Sequence, residues 1–493
     1  MARFATAANR LAVAPFNPRV EIGSTQSFHA IVSGNGDTPL QWTVSGGPIN
    51  GVITNEGLFT APKSLPPDNH IEVCATDTRD AAVVGCVPVT LTVGPPWTAA
   101  REVAASTTTG AQSPPMHLNL ALGAQRGHLH VVFVQGGRVV YAASRDGGVS
   151  WQAPKVLSHA GAVAHDPVLA TTLSDQLFVA WREGDAATYF TRSLDGGEQF
   201  ESPTLVEEAV HSDGLSLQVK LDETADEILL SFTSGENSQL RVLRGASDGT
   251  AWQPVAVQGD PSLAWYDPVL HQVLDSGTSL WWSDGDGETA GSQVSCAEDT
   301  EPMMYTMSTN PGAGGADFAP AVARYWQLLF ETETESHSKT ETHVVWLHNA
   351  TPGDATAEVS LRYGRYVQAA NACAALETPW RQLDDPAVGT LLLNHYRPAI
   401  ATDLEGRVAV AYYARVAGKT WLVARESRDH GATWGDAVKV NQGAPGQSET
   451  WPTAASVTHA PAIAYDDGGR LYVLGLVDSA GANQWALRLW VLE

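Results

Sequence analysis

One eight-residue pattern recurs along this chain and sets the spacing of much of the sequence. It reads Ser-x-Asp-x-Gly-x-x-aromatic, with full copies at residues 144–151, 193–200 and 427–434 and a degraded copy at 247–252. In each copy the Asp side chain can hydrogen-bond its own backbone, and Gly can adopt a positive φ without steric cost. We expect the closing aromatic residue to pack the turn against the start of the next strand. Copies at matching places in strand-rich repeats predict a repeat architecture.

The pattern resembles the Asp-box, also called the BNR repeat, of sialidases and other β-propeller proteins. In that family the box lies between the third and fourth strands of a blade, at the rim away from the active-site mouth. The resemblance therefore implies a structural role for these turns, and we assign no catalytic residue to them.

The composition favours an all-β chain, because Gly (45) and Pro (28) are abundant, Trp occurs 16 times, and no long helical periodicity is present. We predict a β-sandwich over residues 1–95 and a β-propeller over residues 96–493. Short alternating apolar runs separated by Gly, Asn and Pro turns indicate the sandwich. Residues 40–44, 51–53 and 57–62 resemble bacterial Ig-like domains of surface proteins, which implies a spacer or an adhesive stalk.

The two ends of the predicted propeller complement each other. Residues 97–103 match the strand that follows each box, although no box precedes them, and residues 487–492 have a third-strand pattern without a fourth strand. The simplest interpretation is that the strand at Trp97 completes the last blade, which removes an exposed sheet edge. The repeats predict seven blades, with six as the alternative because residues 280–390 are irregular.

The start of each innermost strand supplies the candidate site. An aromatic or imidazole residue stands two places before a Pro, or before the residue in its slot: His117, His165, His211, Tyr266, Phe318, Tyr396 and His459. If these strands begin at the channel mouth, the side chains form a ring where propeller ligands usually bind. Such a ring could stack on a sugar, transfer protons, or hold a divalent metal through neutral imidazoles. The alternative is that the rings only fill the channel entrance.

The catalytic pattern of sialidases is not matched. That family uses three arginines, a Tyr nucleophile activated by Glu and an Asp acid/base, and its first blade opens with Arg-Ile-Pro. The nearest sequence here is Tyr396-Arg397-Pro398, in a late blade, so we carry over no sialidase residue. The other polar candidates are Asp166, Arg182, Glu183, Asp213, His395, Arg397 and Glu449.

The formal net charge of −25 argues against nucleic acid and against anionic membrane surfaces as partners. Because no run of 18 apolar residues is present, we expect no membrane insertion. The N-terminus lacks the pattern of a signal peptide, so an exported form would already have lost it.

The four cysteines lack the close spacing of a zinc or redox site. Cys74 and Cys86 lie in two strand-like runs that would pair around a turn, so we predict a disulfide there. Cys296 with Cys373 is the second predicted pair, and free buried thiols are the alternative. The acidic turn with Asp284, Asp286 and Glu288 could bind calcium, but a plain surface turn is favoured because no later ligand follows at a fixed position.

Two functions of different classes remain open, and both predict an extracellular or cell-surface protein whose partner is a carbohydrate or glycoconjugate. The first is a glycoside hydrolase or polysaccharide lyase with His165, His211, His395 or His459 as acid/base and Arg397 neutralising a substrate carboxylate. Its predicted substrate contacts are His117, Tyr266, Phe318, Tyr396 and Arg182. The second is a non-catalytic carbohydrate-binding or adhesive protein, and a metal-dependent enzyme using the His ring is a weaker third alternative. The sequence indicates no oligomeric state.

Overall fold

The structure is a computed structural model. It describes residues 11–492 except for 15–17, 33–38, 68–69, 93–100, 106–115, 123–126, 173–174, 185–186, 209–212, 221–226, 235–238, 256–264, 274–276, 285–288, 294–306, 309–315, 332–335, 350–357, 369–374, 377–379, 386–390, 393–396, 404, 417–418, 441–459, 467–468 and 479–484.

Residues 11–92 form three β-sheets around one apolar core. The strands are β1 (Leu11–Ala14), β2 (Arg19–Glu21), β3 (Thr25–Ser27), β4 (His29–Val32), β5 (Leu40–Val44), β6 (Val52–Ile53), β7 (Leu58–Thr60), β8 (His70–Asp77) and β9 (Asp80–Thr92), with a 3-10 helix at Gly47–Asn50. One sheet has the order β2-β9-β8-β5, a second has β3-β7-β6, and β1 pairs with β4. Phe28, Phe59, Val73 and Val87 are buried between the sheets.

A disulfide joins Cys74 in β8 to Cys86 in β9, which confirms the first predicted cysteine pair. The two residues lie directly opposite each other in the antiparallel register, with their Cα atoms 4.1 Å apart. Cys296 and Cys373 lie outside the described residues.

Seven further sheets follow one another in the described part of residues 101–492. Each is antiparallel, and the first three strands of each lie side by side in sequence order. We number the sheets one to seven along the chain. Their strands are, for the first sheet, β11 (Met116–Leu122), β12 (Leu129–Gln135), β13 (Arg138–Ser144) and β14 (Lys155–Val156); for the second, β15 (Ala164–Thr171), β16 (Leu177–Glu183), β17 (Ala187–Ser193) and β18 (Thr204–Glu208); for the third, β19 (Asp213–Lys220), β20 (Glu227–Ser234), β21 (Gln239–Ala246) and β22 (Gln253–Pro254); for the fourth, β23 (Trp265–Val273), β24 (Gly277–Asp284), β25 (Thr289–Gln293) and β26 (Met307–Ser308).

The last three sheets include the largest one. Their strands are, for the fifth sheet, β27 (Ala316–Glu331), β28 (Ser336–Asn349), β29 (Glu358–Gln368), β30 (Ala375–Leu376), β31 (Arg381–Gln382) and β32 (Leu391–Leu392); for the sixth, β33 (Ala399–Thr402), β34 (Val408–Val416), β35 (Lys419–Ser427) and β36 (Val438–Lys439); for the seventh, β37 (Ala462–Tyr465), β38 (Leu471–Asp478), β39 (Trp485–Leu492) and β10 (Arg101–Ala105).

The first strands of these sheets contact one another in a closed cycle. The order of contact is β11, β15, β19, β23, β27, β33, β37 and again β11. In the seventh sheet β10 pairs antiparallel with β39, with Arg101 opposite Leu489. This is the pairing that the sequence predicted for the segment beginning at Trp97, of which residues 97–100 lie outside the described part. The chain is therefore all-β, and the seventh sheet combines β10, which precedes the first sheet in the sequence, with the three last strands.

The recurring eight-residue pattern forms the turn between the third and fourth strands, the place that the resemblance implied. Each Ser hydroxyl donates to the Asp two residues on and accepts from the N–H of the Gly four residues on. Each Asp also accepts the N–H four residues further along. The Ser Oγ to Asp Oδ1 distances are 2.8 Å for Ser144 and Asp146, 2.7 Å for Ser193 and Asp195, and 2.8 Å for Ser427 and Asp429.

The closing aromatic residue also contacts the preceding sheet, which the sequence did not predict. The ring of Phe200 lies edge-on to Tyr141 of β13, at 4.9 Å between centroids. Trp434 contacts Tyr363 of β29 in the same way at 5.0 Å. The reason is geometric, because this turn lies beside the third strand of the neighbouring sheet and the large ring fills the space between the two sheets. The turns thus join adjacent sheets.

Within the described residues, no helix combines the length and the apolar character that crossing a membrane requires.

Candidate functional site

The structure describes only part of the predicted ring. His165 and Arg182 are described with their side chains, and Arg397 is half-buried just before β33. His117, Tyr266, Phe318, Asp213 and Asp284 lie in strands whose side chains are outside the described part, whereas His211, His395, Tyr396, Glu449, His459, Asp286 and Glu288 lie outside the described residues altogether.

A β-bulge interrupts the first strand in each of the first five sheets, and the residue before the bulge shows which positions of the predicted ring are equivalent. In the second, fourth and fifth sheets the residue before the bulge is His165, Tyr266 and Phe318, in agreement with the prediction. In the first and third sheets the residues at that place are Met116 and Asp213. The prediction was therefore out of register by one residue at His117 and by two at His211.

The correction has a physical reason. Pro tends to stand at bulges because it has no N–H to donate to the ladder. Pro167, Pro268 and Pro320 mark the bulge in the sheets that were aligned correctly. Leu118 and Leu215 stand in that slot in the other two sheets, which therefore carry no marker in the sequence.

His165 is held at both ring nitrogens. Its Nε2 donates to the carbonyl oxygen of Gly184 at 2.8 Å, and its Nδ1 lies 3.0 Å from Asp166 Oδ2. Because carbonyl and carboxylate oxygens only accept, this arrangement favours a proton on both nitrogens. The hydrogen bond to Asp166 raises the pKa of His165 accordingly. His165 thus has no ring nitrogen free to take a proton from a ligand in this arrangement.

Asp166 lies within the bulge, at φ 51°, and ties His165 to Arg182. Its Oδ2 accepts from Arg182 Nη1 at 3.1 Å, and the Arg182 side chain is buried. The Nε of Arg182 has no hydrogen-bond partner among the described residues. A buried guanidinium beside a bulge therefore supports the polar groups at the start of β15.

We expect Asp166→Asn to lower the pKa of His165, because the amide oxygen can still accept a hydrogen bond but lacks the negative charge that favours the protonated ring. A folded-state pKa above the ordinary 6.5 means that this contact stabilises the fold fully below pH 6.5 and stops doing so as the pH rises through the raised pKa. The destabilisation caused by Asp166→Asn should therefore be larger in acid than above that pKa. An NMR titration of the His165 ring measures the shift, with Asp436→Asn as the control at an exposed turn. An unchanged His165 pKa in Asp166→Asn would contradict this assignment.

Glu183 and His159 form a second polar pair beside the first. Glu183 Oε1 accepts from the His159 backbone N–H and from Trp181 Nε1, both at 2.9 Å, and Oε2 lies 2.9 Å from His159 Nδ1. Burial acts to raise the pKa of Glu183, but these hydrogen bonds outweigh it and lower the pKa. The His159 ring lies edge-on to Tyr189 at 4.8 Å, and 47% of its side chain is exposed.

Three consecutive residues at the end of β16 organise these contacts: Arg182 holds Asp166, Glu183 holds His159, and the Gly184 carbonyl holds His165. We refer to His159, His165, Asp166, Arg182 and Glu183 as the β16-end cluster. All of these except His159 were predicted from the sequence as candidate polar residues. The available signal was its position in the connection from β14 to β15, which leads to the start of an innermost strand.

In the described part of the chain, no group of three or more His, Cys, Asp or Glu side chains is arranged to hold a metal ion. A cavity of about 480 Å³ lies between the β2–β3 turn and the sixth sheet, away from the β16-end cluster. The two arginines that line it are paired within the protein, since Arg428 Nε donates to Glu426 at 3.0 Å and Arg425 Nε donates to the Gly435 carbonyl at 2.6 Å.

No family model matches the chain, and no curated protein matches its sequence. Among solved structures, it is similar to an ulvan lyase of a polysaccharide lyase family bound to -[GlcA(1-4)Rha3S]-, at 10% identity and a TM-score of 0.46, covering 79% of this chain and 94% of that one. The α-L-arabinanase of Penicillium chrysogenum complexed with arabinobiose has 10% identity and a TM-score of 0.43, over 80% and 98%. A variant of Aleuria aurantia lectin with α-methyl-L-fucoside has 14% identity and a TM-score of 0.41, over 68% and 99%.

Proposed function

We propose that this protein is glycan-active and that its ligand site lies where the innermost strands of the sheets begin. The β16-end cluster carries this proposal. It presents an imidazole, a half-exposed imidazole and their carboxylate partners in fixed orientations, next to the ring of Tyr189. Polar groups converging in fixed orientations beside aromatic surface are the usual components of a small-ligand site.

The architecture that we propose with it is a seven-bladed β-propeller over residues 96–493, preceded by an Ig-like sandwich over residues 1–95. The closed cycle of first strands and the pairing of β10 with β39 support the propeller. The separate apolar core of residues 11–92 supports the sandwich. The Cys74–Cys86 disulfide suits an oxidising compartment, so we propose an extracellular or cell-surface location.

Bond cleavage and binding without cleavage are both retained, because each has an observation in its favour. A glycoside hydrolase or polysaccharide lyase is favoured by the number of titratable groups that the sequence places at the strand starts, among them Arg397. A non-catalytic carbohydrate-binding protein is favoured by His165, since both of its ring nitrogens are already hydrogen-bonded.

The test is a glycan array combined with cleavage assays on the same polysaccharides. Arg182→Met removes the guanidinium that supports Asp166 while keeping an unbranched side chain, and Arg192→Met is the control on the third strand of the same sheet. We expect glycan binding by the unchanged protein, loss in Arg182→Met, and retention in Arg192→Met. New reducing ends alone indicate a hydrolase, and unsaturated uronate products indicate a lyase. If neither product forms, the protein binds glycans without cleaving them. Absence of glycan binding, or equal binding by the two variants, overturns the proposal.

A further inference from the structure

The contact between Glu183 and His159 fixes the position of the ring proton on His159. An ionised carboxylate can only accept hydrogen bonds, and the pKa of Glu183 is lowered, so Nδ1 of His159 must be the donor. In the neutral ring Nε2 then carries the lone pair. No described residue forms a hydrogen bond with Nε2 of His159, and 47% of the side chain is exposed.

The ring is also held in one orientation. Glu183 binds the backbone N–H of His159 as well as its ring, and Trp181 Nε1 donates to the same carboxylate oxygen as that N–H. The ring of Tyr189 lies against it in an edge-to-face arrangement, with 4.8 Å between the ring centroids. A histidine whose Nδ1 donates to an acidic side chain and whose Nε2 is accessible has the arrangement required of a general base.

We infer that Nε2 of His159 accepts a proton from a water molecule beside a bound glycan, with Glu183 as its positioning residue. This inference rests on the proposed function, because it assumes a glycan ligand. One O–H bond of the water breaks and an N–H bond forms at Nε2. The electron pair left on the water oxygen forms a bond to a carbon of the glycan, and the bond from that carbon to its leaving oxygen breaks. The leaving oxygen, on the opposite face of the carbon, takes a proton from solvent water, and Nε2 returns its proton to solvent. The net reaction is hydrolysis of a carbon–oxygen bond.

Glu183→Gln provides a sharp test, because the structure dictates how the amide must lie. The position of Oε1 accepts from two N–H groups, so the amide oxygen takes that place and the NH2 faces Nδ1 of His159. The ring proton then moves to Nε2, and the lone pair is lost from the accessible side. Diethyl pyrocarbonate, which reacts with a nitrogen lone pair, detects this change without any glycan.

We expect the rate of modification at His159 to fall about tenfold or more in Glu183→Gln, because the amide N–H holds the ring lone pair at Nδ1 and leaves a proton on the accessible Nε2. The exposed His70 serves as the internal reference and should keep its rate. An unchanged rate at His159, or an equal change at His70, overturns the inference.

His159→Asn separates the proposed role of Nε2 as a base from the hydrogen bond between residue 159 and Glu183. The asparagine amide can still donate to Glu183, but it has no equivalent of Nε2. We expect this variant to keep its thermal midpoint and to lose hydrolysis of any polysaccharide that the unchanged protein cleaves. Normal hydrolysis by His159→Asn overturns the inference, and so does a lyase product. A failed glycan array overturns the proposed function, whereas the reactivity of His159 is measured independently of it.

Discussion

Gly197→Ala is expected to lower the free energy of unfolding by about 2–5 kcal/mol, the sum of strain in the left-handed region and of overpacking. Gly197 has a φ of 90°, which L side chains rarely adopt. A Cβ at this position would overlap the hydroxyl of Tyr141, which is buried in the preceding sheet. That hydroxyl cannot move freely, because it is hydrogen-bonded to Nδ1 of the buried His130 at 2.7 Å.

Gly161→Ala is the matched control for this prediction. Gly161 has a φ of 81°, and a Cβ there would meet nothing within 4 Å. Only the strain of an alanine in the left-handed backbone conformation, about 1–2 kcal/mol, should lower the free energy of unfolding of Gly161→Ala. Midpoints of chemical denaturation compare the two variants, and equal midpoints would contradict the role assigned to the Tyr141 contact. The same geometry recurs where Gly431 meets Tyr363, whose hydroxyl is hydrogen-bonded to His343 at 2.7 Å.

Asp403→Ala is expected to cost about 3–5 kcal/mol of stability, because it leaves the buried guanidinium of Arg407 without its main partner. Asp403 and Arg407 are both buried at one turn of the sixth sheet, where the carboxylate binds Arg407 Nε. Burial acts to lower the pKa of Arg407, but the charges of Asp403 and Glu426 outweigh it and raise the pKa. Thermal and chemical unfolding of the variant measure the loss.

Asp403→Asn separates the charge from the turn. Asp403 Oδ1 also accepts the N–H groups of Glu405 and Arg407, at 2.9 and 2.7 Å, and an amide oxygen can keep both contacts. We expect Asp403→Asn to be destabilised, but less than Asp403→Ala. If Asp403→Asn were as stable as the unchanged protein, the ion pair would contribute nothing and the turn contacts alone would matter.

The turns were predictable from the sequence because Ser, Asp and Gly form them through contacts within eight residues. The closing strand was predictable because residues 97–103 have the pattern of a fourth strand without a turn before it, and residues 487–492 have that of a third strand without a fourth after it. The packing of Phe200 and Trp434 on the preceding sheet was not predictable, since it depends on how neighbouring sheets lie against each other. A local pattern carries no information about such a long-range contact.

The candidate site was predicted in part for a related reason. His165 was found because Pro167 marks the bulge next to it, whereas the first and third sheets form the same bulge without Pro. His159 was missed because no column of equivalent residues includes it. Its importance comes from Glu183, which is distant in sequence and close only after β16 pairs with β15.

The pairing of β10 with β39 has a consequence for how the protein is made. The ribosome releases β10 long before β39 exists, so its edge has to wait for almost the whole of the remaining chain. Contacts between such distant segments form slowly, and unpaired strand edges favour association between chains in the interval. Residues 11–92 can complete their own sheets early in synthesis. The cycle of seven sheets can be completed only when β39 emerges and pairs with β10. Protection of the newly made chain during that interval should matter more for its yield in cells than the stability of the finished fold.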